Sequence, residues 1–81
     1  MAKKKKIALV VYHHEYNSVE YLTEIIRLTL GYDVTQAATC ANLVIDKQSY
    51  IVKTYKDETK AQRYLQLFID QEIPAELKLI D

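Results

Sequence analysis

The chain has 81 residues, of which 49% are hydrophobic, and its 11 basic side chains balance its 11 acidic ones. This size allows one small domain with a single core, and the apolar fraction is higher than intrinsically disordered chains carry. No apolar run approaches the roughly 20 residues that a membrane-spanning helix needs, so the sequence predicts no membrane partner and a cytoplasmic location.

The charges are unevenly distributed along the chain. Lys3–Lys6 form a basic run, and the remaining residues carry seven basic and eleven acidic side chains. We therefore divide the chain into a basic tail, residues 1–6, and one domain, residues 7–81. An acidic domain repels polyanions, and the seven tyrosines are explained as amphipathic residues at the core edge. The sequence therefore predicts no nucleic-acid partner.

The first half of the chain predicts a strand and a helix. Lys5–Tyr12 is short and rich in Ile and Val, which is typical of a strand. Asn17 is the predicted N-cap of the helix because Glu20 stands three positions later, as in a capping box. Apolar residues then recur at helical spacing, and Gly31 is placed where a helix ends in a left-handed residue.

From Asp33 onward, the sequence predicts two more helices and two more strands. Asp33 opens a second capping pattern, which leads into a helix through about Ile45. The segment SYIVKTY has the β-branched residues of a strand, and Asp57 is predicted to cap the third helix. The segment AELKLI alternates as a final strand, with Leu77 and Leu79 facing inward. The order β-α-α-β-α-β predicts an α+β fold with three helices on one face of a small three-stranded, largely antiparallel sheet.

Three titratable residues, His13, His14 and Glu15, follow the first strand. Adjacent residues of an extended chain point in opposite directions, so two neighbouring imidazoles seldom bind one ion. General acid–base catalysis needs a positioned partner and a nucleophile, and Cys40, among alanines, is interpreted as buried and inert. We expect no metal, no cofactor and no enzyme activity.

Four short motifs stand out in order along the chain: EYNSVEYL at the first helix, YDVTQA at the second, ETK on the third, and Pro74 before the last strand. Taken together and at nearly this spacing, they resemble the ClpS family, the small adaptors that hand N-degron substrates to the Clp AAA+ protease. The agreement runs from about Ile7 to Ile80. The resemblance implies a binding protein without catalysis, whose partners are a Clp-type unfoldase N-terminal domain and protein or peptide substrates.

The resemblance implies two binding surfaces. Glu58, Thr59 and Lys60 match family residues implicated in docking on the unfoldase. A separate pocket would hold the bulky hydrophobic first residue of a substrate together with its free α-ammonium group. The positions that correspond to this pocket are His13, His14, Glu15, Asn17, Val19, Leu22, Val44, Ile45 and Ala75.

The sequence departs from the family on the polar side of that pocket. His13, His14 and Glu15 replace an Asn-Asp-Asp run, and Ile45 replaces a His. A charge-assisted hydrogen bond contributes about 1.5–3 kcal/mol, so losing two acceptors predicts ammonium binding that is weaker by roughly a hundredfold or more. Three hypotheses follow: an adaptor with a changed substrate preference, a docking-only relative that competes with a true adaptor, or an unrelated small interaction domain that shares only the fold.

Overall fold

A computed structural model of the chain describes residues 6–80. Its elements are β1 (Lys6–Tyr12), α1 (Val19–Leu30), α2 (Val34–Lys47), β2 (Ser49–Tyr55), α3 (Glu58–Asp70) and β3 (Ala75–Ile80). This order confirms the predicted α+β fold. The predicted basic tail lies outside the described residues except for Lys6, which begins β1.

The three strands form one antiparallel sheet in the order β2-β1-β3. Ile7 of β1 pairs with Tyr55 of β2 on one side and with Leu79 of β3 on the other. The β1–β2 register shifts between Leu9 and Val10, which makes Val52 the additional residue of a bulge. A bulge bends its strand and increases the local twist. The two edges of the sheet therefore differ in shape.

The helices and one face of the sheet share a single apolar core. Ile7, Leu9 and Val11 alternate along β1, so they lie on one face, and all three belong to the buried cluster that the helices complete. The other buried members of this cluster are Leu22, Ile25, Ile26, Ala37, Cys40, Ala41, Val44, Val52, Tyr55, Ala61, Phe68 and Ile73. In residues 6–80, no helix is long and apolar enough to cross a membrane.

The N-cap of α1 differs from the prediction by one residue. Ser18, in an extended conformation, accepts a hydrogen bond from the Tyr21 amide through Oγ at 3.1 Å. Asn17 instead belongs to the preceding turn, because its amide donates to the His14 carbonyl at 2.9 Å. Its side-chain Nδ2 donates to the Glu72 carbonyl at 3.3 Å. Asn17 therefore joins the start of α1 to the end of α3 and does not cap the helix.

The other helix ends confirm the predicted signals. Gly31 ends α1 with φ of 74°, a conformation that costs glycine less than other residues. Asp33 Oδ1 accepts from the Gln36 amide at 2.7 Å, and Asp57 Oδ1 accepts from the Thr59 amide at 2.9 Å. Capping is a local property, which is why these positions follow from short sequence patterns.

Leu77 and Leu79 of β3 differ in burial, although both were predicted to face inward. Leu77 packs against the core, whereas Leu79 is 67% exposed. Leu79 pairs with Ile7 and therefore faces the same side of the sheet. At that end of the sheet, however, α3 is only beginning, and the helix leaves Leu79 uncovered. The alternation predicted the face of Leu79 correctly, but no helix covers this side chain, so the prediction that it packs inward with Leu77 is wrong.

Candidate protein-binding surfaces

A shallow groove of about 290 Å³ lies between the start of α3 and the end of β3. We refer to it as the β3–α3 groove. Its lining residues are Ile7, Glu58, Gln62, Leu77, Lys78 and Leu79. Asp57 caps α3 immediately before Glu58 and thereby fixes where the helical wall of the groove begins.

The β3–α3 groove combines apolar and charged groups. Leu79 supplies exposed apolar surface, while Glu58 is an exposed carboxylate in the first turn of α3. The positive end of the helix dipole favours a carboxylate there. Gln62 Nε2 donates to Glu58 Oε2 at 3.3 Å, which holds the two side chains on one helix face. An apolar patch with a polar rim is the usual anatomy of a protein-binding surface.

The predicted docking residues lie at this groove or beside it. Glu58 lines the groove, and Thr59 and Lys60 are exposed in the same first turn of α3. Sequence reasoning missed Gln62 and the exposure of Leu79. The signal for Gln62 was its spacing of four residues from Glu58, which places both on one helix face.

A stacked tyrosine pair joins β2 to α3 near this groove. The rings of Tyr55 and Tyr64 are 5.4 Å apart between centroids and only 12° from parallel. Tyr55 is buried, and its hydroxyl has no hydrogen-bond partner within residues 6–80. Burial is the main reason that the pKa of Tyr55 rises to about 12, and Tyr64 adds to the effect. Because Tyr55 pairs with Ile7, this stack lies beside a residue that lines the groove.

On the predicted substrate side, the two histidines contact different neighbours. The His13 amide donates to the Gln48 carbonyl at 2.9 Å, and His13 Nδ1 lies 3.3 Å from Gln48 Oε1. His14 is exposed, and its Nδ1 accepts from the Tyr16 amide at 3.3 Å. Glu15 is also exposed. His13 is therefore tied to the end of α2, while His14 and Glu15 present their side chains to solvent.

Two residues of the predicted apolar lining are core residues. Leu22 is 2% exposed and Val44 is fully buried, and both belong to the central apolar cluster. A ligand would reach them only if the packing of α1 against α2 opened. In the conformation observed, their apolar surface is already covered by the protein itself.

The remaining predicted pocket residues line separate grooves. Val19 lines one between α1 and α2, and Ile45 lies in a depression on α2. His14 and Ala75 do come together, in a groove bordered by the end of α3 and the start of β3. The structure therefore distributes the predicted pocket over several surfaces.

Reactive or metal-binding groups are few in the described part of the chain. Cys40 is buried, as predicted, and burial raises the pKa of its thiol. Within residues 6–80, no group of three His, Cys, Asp or Glu side chains is arranged to hold a metal ion. Glu76 accepts a hydrogen bond from the Tyr12 hydroxyl, which lowers the pKa of the carboxyl, and it pairs with Lys78 at 3.6 Å.

In comparisons with known proteins, no family model matches the sequence and no curated protein gives a significant match.

Proposed function

We propose that this chain is a ClpS-like docking domain. It binds the N-terminal domain of a Clp-type AAA+ unfoldase in the cytoplasm and thereby modulates which protein substrates are selected for degradation. The observation that carries the proposal is the position of Glu58. The family resemblance assigns this residue to docking, and it lines an open groove next to exposed Leu79.

The chemistry of the β3–α3 groove suits a protein partner. Complete burial of a leucine side chain contributes about 1.5–3 kcal/mol, and most of Leu79 is still exposed. The helix side of the groove carries the exposed carboxylate of Glu58. The ammonium group of Lys78 pairs with Glu76 and, by strand alternation, faces the other side of the sheet. A rim carboxylate such as Glu58 orients a partner and raises the association rate.

The substrate side distinguishes two forms of the proposal. In the first, the chain is a working adaptor with a changed substrate preference, which is supported by the exposed side chains of His14 and Glu15. In the second, it docks without binding N-degrons and competes with a true adaptor. The second form is favoured by the burial of Leu22 and Val44, which leaves little apolar surface for a bulky first residue.

An NMR titration of isotope-labelled chain tests the docking proposal. With the N-terminal domain of a Clp unfoldase, we expect the largest amide shifts at Glu58–Lys60 and Leu77–Leu79. Shifts confined to α1 and α2, or no shifts at saturating partner, would overturn the proposal and leave an unrelated interaction domain as the better hypothesis.

A second titration separates the two forms. Short peptides that begin with Phe, Leu or Tyr are each compared with their α-acetylated versions. Shifts at His13–Val19 that disappear on acetylation would identify an adaptor that reads a free N-terminus. The absence of such shifts in a chain that still binds the unfoldase domain would identify a docking-only protein.

A further inference from the structure

Strand β3 is an edge of the sheet, and the phase of its hydrogen bonds can be determined. The Tyr12 amide donates to the Pro74 carbonyl at 2.9 Å. In an antiparallel ladder, residues directed toward the partner alternate with residues directed away from it. Counting from Pro74, the residues Glu76 and Lys78 direct their backbone groups toward β1. The backbone groups of Ala75, Leu77 and Leu79 consequently point away from the sheet.

The opposite edge of the sheet is protected by the fold. Strand β2 carries the bulge at Val52, and the Val52 carbonyl already accepts a hydrogen bond from the Tyr32 hydroxyl at 2.6 Å. A bulge and a satisfied carbonyl both discourage pairing with another strand. In β3, by contrast, the β1–β3 register runs without a shift along the whole strand. Within residues 6–80, no strand covers the outer edge of β3.

We propose that the outer edge of β3 pairs with β3 of a second copy of this chain, antiparallel and centred on Leu77. In this register Leu77 pairs with its symmetry mate and Ala75 pairs with the second copy's Leu79. Glu76 lies opposite the second copy's Lys78, and two-fold symmetry gives this pair twice. Opposite charges directly across a strand pair are stabilising.

The charges select this register over its neighbours. Centring the pair on Glu76 or on Lys78 would place two like charges directly opposite each other, which is destabilising. Centring it between two residues would pair an outward-directed residue with one directed toward β1, which breaks the ladder and puts side chains on the wrong face. The register centred on Leu77 satisfies both conditions.

The side chains at this edge are available for the contact. Leu79 is mostly exposed, and the side chains of Glu76 and Lys78 are 47% and 58% exposed. Pairing would extend the three-stranded sheet to six strands and cover Leu79. The interface is small, so we expect a weak dimer. This inference does not rest on the proposed function, but Leu79 and Lys78 also line the β3–α3 groove, so dimerisation and unfoldase docking would compete.

Sedimentation equilibrium of the full chain tests the proposal, at concentrations up to about 1 mM because the interface is small. We expect a reversible, concentration-dependent dimer. The variants Glu76→Lys and Lys78→Glu should each raise the dimer dissociation constant about tenfold, because each places like charges opposite one another at two positions. An equimolar mixture of the two variants should associate again, since one copy then carries two basic residues and the other two acidic residues at the interface.

A mixed-label NMR sample tests the register. Glu76 and the second copy's Lys78 form a non-hydrogen-bonded pair, in which the Cα atoms approach most closely, so an intermolecular Hα–Hα cross-peak is expected between them. Glu76→Lys removes the bond from Tyr12, whereas Lys78→Glu leaves it in place, so an amide spectrum of each variant separates misfolding from lost pairing. A monomer over the whole range, or a dimer that neither charge reversal weakens, would overturn the proposal.

Discussion

The two predicted binding surfaces of this molecule differ in how much apolar surface the fold leaves uncovered. On the substrate side, Leu22 and Val44 are buried in the core and His13 is bonded to Gln48. On the docking side, Leu79 remains 67% exposed in a groove walled by Glu58. The first surface lies where two helices pack together, and the second where a helix begins beside the end of a strand. Packing between two helices buries apolar surface, whereas apolar surface beside the start of a helix remains exposed.

On the substrate side, truncation of Leu22 should cause the greatest loss of stability. Because Leu22 is a core residue, Leu22→Ala should lower the free energy of unfolding by about 2–5 kcal/mol. Val19→Ala, at a partly exposed position of the same helix, should cost less than about 1 kcal/mol. Urea unfolding of both variants provides the measurement. A small cost at Leu22 would show that its side chain lines a pocket and is not part of the core.

The second effect concerns the stacked pair on the docking side. The pKa of Tyr55 is raised from 10.0 to about 12 in the folded chain, so folding favours its neutral form. The resulting contribution to the free energy of unfolding is fully present below pH 10 and is lost as the pH rises toward 12. The total loss is up to about 3 kcal/mol. Tyr55→Phe cannot ionise and should lose less stability between neutral pH and about pH 11.

At neutral pH, Tyr55→Phe should raise the free energy of unfolding by about 1 kcal/mol, since it keeps the aromatic stack and removes a buried hydroxyl that has no partner among residues 6–80. The matched control is Tyr16→Phe, because Tyr16 is 83% exposed and should change neither value. Stability that falls equally with pH in the wild type and in Tyr55→Phe would show that the Tyr55 hydroxyl is hydrated.

The smallest of these changes in stability concerns the N-cap of α1. Ser18→Ala should cost about 1 kcal/mol, the usual penalty for losing an N-cap. Asn17→Ala removes only a 3.3 Å bond to the Glu72 carbonyl and should cost less. Thermal unfolding of the two variants side by side makes the comparison. The reverse order would place the cap at Asn17, as the sequence pattern suggested.

The sequence predicted local features well and burial less well. Gly31, Asp33 and Asp57 were assigned correctly because a helix end depends on the few residues around it. Alternation along β3 predicted which face Leu79 occupies, but whether another element covers that face depends on where α3 begins. The same limit applies to Leu22, which helical spacing places on an apolar face without distinguishing a core from a pocket.

The choice between Asn17 and Ser18 shows a second limit of sequence patterns. Both residues are good N-caps, and an acidic residue three positions later favoured Asn17. The structure uses Ser18 because the Asn17 amide closes a turn on His14 and its side chain bonds to Glu72. Glu72 is distant from Asn17 in sequence, so no local pattern could have indicated this hydrogen bond.

The most direct test of the central claim is the affinity of the chain for a Clp unfoldase N-terminal domain, measured by calorimetry on matched variants. Leu79→Ser and Glu58→Arg alter the β3–α3 groove, while Leu28→Ser and Glu20→Arg alter a similarly exposed leucine and a first-turn glutamate on α1. We predict at least about tenfold weaker binding for the first pair and unchanged binding for the second. Equal effects in both pairs, or binding that neither pair weakens, would contradict the claim that this groove is the docking surface.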